Sequence, residues 1–310
     1  MAEPELARIS HIALETDDLA ASLEFFHDAV GLEEVERQDG TVYLRGIDEF
    51  SHHSLSLTPA DEPGIDHIGW QTEEPEHLDA YADLLADEGV DVTWVDEGAE
   101  AGQGRAIRFE TPTGQRFEFH DTMTMPEPPE EKRSKLRNKP YDRTKTNPIA
   151  PQRIDHVQIW DRDANELVEW LKDVVGLQVQ ESYDREDGSR WGTFLSACGV
   201  KIDLAIVEDE GDNPPAVHHT AYKVTTADDL YDAHDAMNEL DIPTDGIGQH
   251  SISRGKFLYV RDPATGHRIE FNAGGYFTFE ANWEPVRWKE TDLDDRQWIG
   301  AIESKERVFY

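Results

Sequence analysis

Three motifs recur in the same order in the two halves of this chain. RISHIALET (8–16) returns as RIDHVQIWD (153–161), DHIGWQT (66–72) as HHTAYKV (218–224), and TPTGQRFEFH (111–120) as DPATGHRIEFN (262–272). The second histidine and the glutamate lie 51 residues apart in both copies, 67 to 118 and 219 to 270. Self-similarity with this spacing means that each half folds into the same arrangement of units, and that residues at matching positions meet in matching places. The halves run from 1 to 122 and from 151 to 275, with a connector at 123–150 and a tail at 276–310.

Each half divides again into two units of strand, helix and further strands. ISHIAL alternates as a short strand, and LAASLEFFHDAVGL carries apolar residues at helical spacing before Gly31 stops it. TVYLRG and HSLSLT follow as strands; DHIGWQ, HLDAYADLLADEG, RAIRFET and QRFEFH repeat the order. NELVEWLKDVVGL and ADDLYDAHDAMNEL are the corresponding helices of the second half. The expected fold is α+β: four βαβββ modules in pairs, each pair a curved mixed sheet closing around a cup. The connector MTMPEPPEEKRSKLRNKPYDRTKTNPIA is proline-rich, which blocks regular helix and ladder bonding, and its Lys/Arg cluster is expected to lie against the acidic domains. The tail holds Tyr276, Phe277, Phe279, Trp283, Trp288, Trp298, Phe309 and Tyr310, aromatics expected to be buried against the cup mouth or another subunit.

Charge narrows the function. The 310 residues carry 66 Asp and Glu against 29 Lys and Arg, a formal charge of −37. A phosphate backbone or an anionic membrane surface would be repelled. No segment has the roughly 20 apolar residues needed to span a bilayer, and MAEPELARISH lacks the features of a signal peptide, so a cytoplasmic location is expected. A single cysteine, Cys198, excludes an intrachain disulfide and a multi-thiolate metal site.

The chemistry lies in the second half. Alternation in RIEFN sets Ile269 and Phe271 on one face and Glu270 on the other. In RIDHVQIW, Val157 and Ile159 point away from His156, Gln158 and Trp160. HHTAYKV offers a histidine to either face; His219 is preferred because it aligns with His67. His156, His219 and Glu270 are therefore expected to meet inside the second cup. Two neutral imidazoles and a carboxylate form the facial ligand set of non-haem Fe(II), which leaves positions open for substrate and O₂; Mn(II) accepts the same set. His11, His67 and Glu118 repeat the triad in the first half as a possible second metal site.

These motifs resemble the two-domain extradiol ring-cleaving dioxygenases of the vicinal oxygen chelate superfamily. The likeness covers nearly the whole chain and is most specific in HHTAY and HSISRGKFLYVRDPATGHRIEF. It implies O₂-dependent cleavage of a catechol beside its hydroxyls, a metal held by His156, His219 and Glu270, and a homo-oligomer. His250 falls on the family's histidine near bound oxygen, and Tyr259 on its substrate-facing tyrosine. Gln158, His218 and Arg296 are the candidate substrate contacts. Two departures accompany the likeness. Ile202 stands where the family usually has an acid/base histidine, with His53 at the matching place in the first half; His218 is a candidate replacement base. The first half also keeps the full triad, although the family's N-terminal domain is metal-free, and it shows no counterpart of His250 or Tyr259. Asp245 occupies the place of an arginine that holds a substrate carboxylate in one branch, so an uncharged catechol is expected. The alternatives are a glyoxalase-like isomerase, which needs a fourth protein ligand and no O₂, and a non-catalytic binding protein.

Acidity spread over the whole length is expected of a chain adapted to concentrated counterions, since self-repulsion destabilises the compact state at low salt; the alternative is an ordinary acidic enzyme. Thermal melting from dilute to molar KCl is expected to show Tm rising with salt. A flat or falling Tm would refute the adaptation.

Overall fold

The computed structural model describes residues 4–211, 213–280, 282–289, 292 and 298–299, the last pair as backbone. The first half contributes β1 (Leu6–Thr16), β2 (Glu33–Gln38), β3 (Thr41–Arg45), β4 (Leu55–Pro59), β5 (Gly64–Thr72), β6 (Thr93–Val95), β7 (Ala106–Glu110) and β8 (Arg116–His120). They form one eight-stranded sheet in the order β2-β3-β4-β1-β5-β8-β7-β6. The second half contributes β9 (Arg153–Asp161), β10 (Gln178–Asp184), β11 (Arg190–Ser196), β12 (Leu204–Glu208), β13 (Ala216–Lys223), β14 (Thr244–Gln249), β15 (Gly255–Arg261) and β16 (Arg268–Gly274). Their order, β10-β11-β12-β9-β13-β16-β15-β14, repeats the first sheet strand for strand. The parallel and antiparallel neighbours repeat as well: the first strand of each half runs antiparallel to the fifth and parallel to the fourth. The expected α+β architecture of paired modules in mixed sheets is the observed one.

The helices α1 (Leu19–Leu23) and α3 (Ala164–Trp170) each widen into a π-type turn, at Glu24–Ala29 and Leu171–Val175. Each stretch ends at a glycine, Gly31 or Gly176, whose φ of +87° is a left-handed conformation that side chains resist. In α2 (His77–Asp87) the buried residues Leu78, Tyr81 and Leu85 fall on one stripe, as do Leu230, Ala233 and Met237 in α4 (Asp228–Glu239). These stripes pack on the outer faces of the sheets in one apolar core that joins both halves. The inner faces are thereby freed for polar residues.

The connector is irregular, as its prolines require, and its cations do pair with both halves. Lys132 meets Glu33 at 2.6 Å, Lys139 meets Asp48 at 3.6 Å, and Arg143 meets Asp229 at 3.6 Å. Just past its end, the Pro151 and Gln152 carbonyls accept hydrogen bonds from the Ile47 and Asp48 amides, each at 2.9 Å. The tail does more than cover the cup. β17 (Val286–Lys289) adds in parallel to β10, and β18 (Trp298–Ile299) adds to β14, so both edges of the second sheet are extended. Burial of the tail aromatics holds only in part: Trp283 and Trp288 are half-buried, whereas Phe277 and Phe279 are 50% and 79% exposed. Arg296, Phe309 and Tyr310 lie outside the described residues. Among the described residues, no helix is long and apolar enough to cross a membrane.

Gly46 lies where the connector docks, and a Cβ there would sit 2.4 Å from the Gln152 carbonyl oxygen. Because backbone cannot yield as a side-chain tip can, Gly46→Ala is expected to destabilise the chain by about 1–3 kcal/mol in denaturant unfolding. An unchanged midpoint would show that the dock is loose.

Candidate metal centre

The sheet register builds the site. On β13, Ala221 is the pairing partner of both His156 on β9 and Glu270 on β16. Three side chains thus stand in a row across adjacent strands, and the middle one is a methyl group. Neighbouring strands are roughly 4.8 Å apart, so the outer two side chains face one another over the space that Ala221 leaves open. His219, two residues before Ala221, points to the same face. The predicted triad converges: His156 Nε2 is 3.2 Å from His219 Nε2, and Glu270 Oε2 is 2.8 Å from His219 Nε2 and 3.7 Å from His156 Nε2.

Protonation and support suit a cation. Burial, with nearby His156 and Arg268, holds His219 well below the ordinary imidazole range, leaving it neutral with a lone pair to give. His156 Nδ1 contacts Asp155 Oδ2 at 3.1 Å, and Asn272 Nδ2 donates to Glu270 Oε1 at 2.7 Å. Burial favours the neutral acid at Asp155, but the His156 hydrogen bond, Lys223 and Lys201 keep it well below the usual carboxylate range. These are the outer contacts that orient ligands around a metal. The donors therefore fit a divalent ion on chemistry as well as distance.

Above the triad lies a cavity of about 640 Å³. Gln158, His218, Ile202, His250 and Tyr259 all line it, and aromatic wall is supplied by Trp160, Tyr183, Trp191, Phe194 and Phe277. His250 stacks on Phe257 at 4.2 Å and its Nε2 is 3.2 Å from the Tyr259 hydroxyl. Burial lowers the His250 pKa against the pull of Glu270, so the ring is neutral. Asp245 sits on β14 opposite Tyr259 and does not line the cavity.

Both histidines of HHTAYKV line the cavity because β13 bulges at residue 218: Val217 pairs with Ile159 and His219 with Gln158. His218 Nδ1 lies 2.6 Å from His219 Nδ1, and its Nε2 contacts Arg268. Asp155 is bulged out in the same way, between the His156–Ala221 and Ile154–Tyr222 pairs. Asp155, Asn272 and Arg268 were not among the expected site residues. Asp155, immediately before His156, carried a readable signal; the other two acquire meaning only through contacts across strands.

The sequence comparisons bear on this geometry directly. The Glyoxalase/Bleomycin resistance protein/Dioxygenase superfamily matches residues 153–271, and the catechol 2,3-dioxygenase-like N-terminal domain matches 65–122. The manganese-dependent 2,3-dihydroxybiphenyl 1,2-dioxygenase of Geobacillus genomosp. 3 is 41% identical over 94% of this chain and 92% of its own length. The chain belongs to the extradiol ring-cleaving dioxygenases. The metapyrocatechase of Geobacillus stearothermophilus is 28% identical over 96% of this dioxygenase and 90% of its own length. The solved structure of homoprotocatechuate 2,3-dioxygenase from Arthrobacter globiformis superposes with a TM-score of 0.84 at 26% identity, covering 94% of this chain and 86% of that one. The reaction is thus the opening of a catechol-type diol with O₂, which decides against the isomerase and the binding protein.

Removing the support beneath His156 tests the role of the outer contacts. Asp155→Asn is expected to weaken metal binding by about 10–100-fold in titrations of the apoprotein. Unaltered affinity would assign Asp155 a purely structural part.

Proposed function

We propose that this dioxygenase opens catechols bearing a bulky, uncharged substituent, with His156, His219 and Glu270 holding Fe(II) or Mn(II). The observation that carries the reading is the His156–Ala221–Glu270 row at the base of an aromatic cavity. The metal, when bound, supplies the centre at which the diol and O₂ are brought together and exchange electrons. The remaining work falls to the chain. Gln158 and Trp160 extend from β9 beside the ligand His156 and flank the ring. Tyr259, 4% exposed and tied to His250, offers its hydroxyl to a substrate oxygen. His250, neutral and fixed by its stack on Phe257, stabilises negative charge as it develops on oxygen.

The proton from the substrate hydroxyl needs an acceptor, and Ile202 in the cavity wall cannot serve. His218 Nε2 lies against the Arg268 guanidinium, which can only donate and so occupies its lone pair, leaving His218 poorly placed to take that proton. That leaves His250 as the imidazole best placed to move a proton.

Specificity follows from the walls. Glu208 and Glu210 line the cavity with the aromatics, and no arginine does so among the described residues. The two lysines of the lining are already engaged, Lys201 by Asp203 at 2.6 Å and Lys223 by Asn272 at 2.8 Å. A substrate carboxylate would have to displace these contacts beside acidic groups and apolar rings, which favours an aryl substituent of the kind named in the Geobacillus genomosp. 3 relative. The exposed Phe277 and Phe279 support a homo-oligomer, and the chain's acidity supports a salt-rich cytoplasm.

Oxygen uptake across a catechol panel tests the reading. Expected is loss of activity on chelation, recovery with Fe(II) or Mn(II), and kcat/KM about 10²-fold higher for 2,3-dihydroxybiphenyl than for 3,4-dihydroxyphenylacetate. Preference for the carboxylated substrate would overturn the reading of the walls. Retained turnover in Glu270→Ala would overturn the choice of ligands.

A further inference from the structure

The first half assembles its own triad by the same register. Gly69 on β5 is the pairing partner of His11 on β1 and Glu118 on β8, as Ala221 is of His156 and Glu270. Here the middle residue can only be glycine, since a Cβ would lie 2.1 Å from the His11 ring. His11 Nε2 is 3.0 Å from His67 Nε2, and Glu118 Oε1 is 3.7 and 3.6 Å from them. All three residues are buried, at 0–2% exposure.

What surrounds this triad differs from the second half in one direction. Tyr259 pairs with Glu270; its topological counterpart Arg108 pairs with Glu118. His250 lies in the loop before β15, and the loop before β7 instead carries Glu100. The first half thus has no histidine or tyrosine matching His250 and Tyr259, as expected, and the equivalent places hold a carboxylate and a guanidinium. Glu100 Oε1 comes within 3.5 Å of His67 Nε2, and its Oε2 within 3.8 Å of both His11 Nε2 and His53 Nε2. Neither Glu100 Oε2 nor the fully buried His53 Nε2 has a hydrogen-bond partner. A buried, unpaired imidazole nitrogen facing an unpaired carboxylate oxygen is costly without something between them.

We infer that His11, His67, Glu118 and Glu100 hold a second divalent transition-metal ion, with Zn²⁺ the best match, and that this site is closed to substrate. Donors about 2.1 Å from one tetrahedral ion lie roughly 3.4 Å apart, and the contacts that His11 and His67 make with each other and with the two carboxylates span 3.0–3.8 Å, Glu100 facing His67 through Oε1 and His11 through Oε2. Charge agrees. Glu100, Glu118 and Asp66 bring three carboxylates, and Arg108 supplies one cation, contacting Glu118 at 2.6 Å, Asp66 at 3.3 Å and Glu100. The balance of −2 is what a divalent ion neutralises. The outer contacts are in place too: Asp66 Oδ2 is 2.8 Å from His67 Nδ1, and Gln103 donates to Glu118 Oε1 at 2.7 Å. A fourth protein donor and burial are the features that separate closed, structural sites from open, catalytic ones.

Metal analysis of the purified full chain, after dialysis with Zn²⁺ and Mn²⁺ and gel filtration, decides it. Wild type is expected to hold two ions per chain and the double variant His219→Ala/Glu270→Ala one. His67→Gln/Glu118→Gln is expected to lose the other ion while keeping catechol cleavage. Should that variant fail to fold, wild type alone gives the answer: a chelator with a colour change should release the ions in two phases, the slower at least ~10-fold slower and accompanied by a fall in Tm. A single ion per chain in wild type, with none in His219→Ala/Glu270→Ala, would overturn the second site. So would a second ion that persists in the folded His67→Gln/Glu118→Gln protein.

Discussion

The register of three central strands is the constraint on which the site depends. Antiparallel pairing of β9 with β13 and parallel pairing of β13 with β16 bring His156 and Glu270 to either side of one small residue, Ala221. A slip of one residue in either pairing would turn a ligand toward the apolar core. What prevents the slip is the opposite face, where Val157, Ile159, Ile269 and Phe271 are essentially fully buried. The core thus specifies the metal geometry without touching it. The same reasoning applies to His11, Gly69 and Glu118, where Ile9, Ile12, Ile68, Phe117 and Phe119 secure the pairing.

Duplication lets one scaffold carry two chemistries, because strand pairing fixes the triad while loops and strand neighbours fix what lies over it. In the second half the neighbours are neutral: a phenol, an imidazole and the aliphatic Ile202. They leave space and bring no competing ligand. In the first half the same three places hold Arg108, Glu100 and His53, which fill that space with charge and donors. A carboxylate next to an open coordination position would compete with a catecholate for it, whereas Tyr259 and His250 contribute hydrogen bonds to a bound diol. The difference between the halves therefore lies in a few side chains and their charge, with the backbone topology held constant.

The triad and the modular fold were legible because they rest on the two simplest regularities of the sequence, the repeat and the alternation of strands. The helices were legible from apolar spacing and their terminal glycines. Beyond that, reading failed where the backbone departs from regular pairing. Alternation cannot place both His218 and His219 in the cavity; the bulge at 218 does so. Glu100 sits in the irregular loop EGAEAGQGR, with no period to set its direction, and its position became visible only from its distances to His11 and His67. The tail was read as a cover for its aromatics, yet β17 and β18 add to existing sheet edges by backbone hydrogen bonds, which side-chain identity does not encode.

One buried carboxylate shows how that tail completes the cavity. Glu181 on β10, 1% exposed, accepts hydrogen bonds from the Ser253 amide, the Tyr276 hydroxyl and the Trp288 indole, each at 2.7 Å. Ser253 belongs to the loop that follows His250, Tyr276 to the segment that leaves β16, and Trp288 to β17. Burial raises the Glu181 pKa, while these three donors pull it down, so the carboxylate depends on all of them for its solvation. Three chain segments that share no secondary structure are thereby fixed to one point. Two of them, through Ser253, Tyr276 and Phe277, form part of the cavity wall. The position of His250 above the metal ligands, set by its stack on Phe257, is therefore coupled to the tail through a single acidic side chain that the mechanism itself never uses.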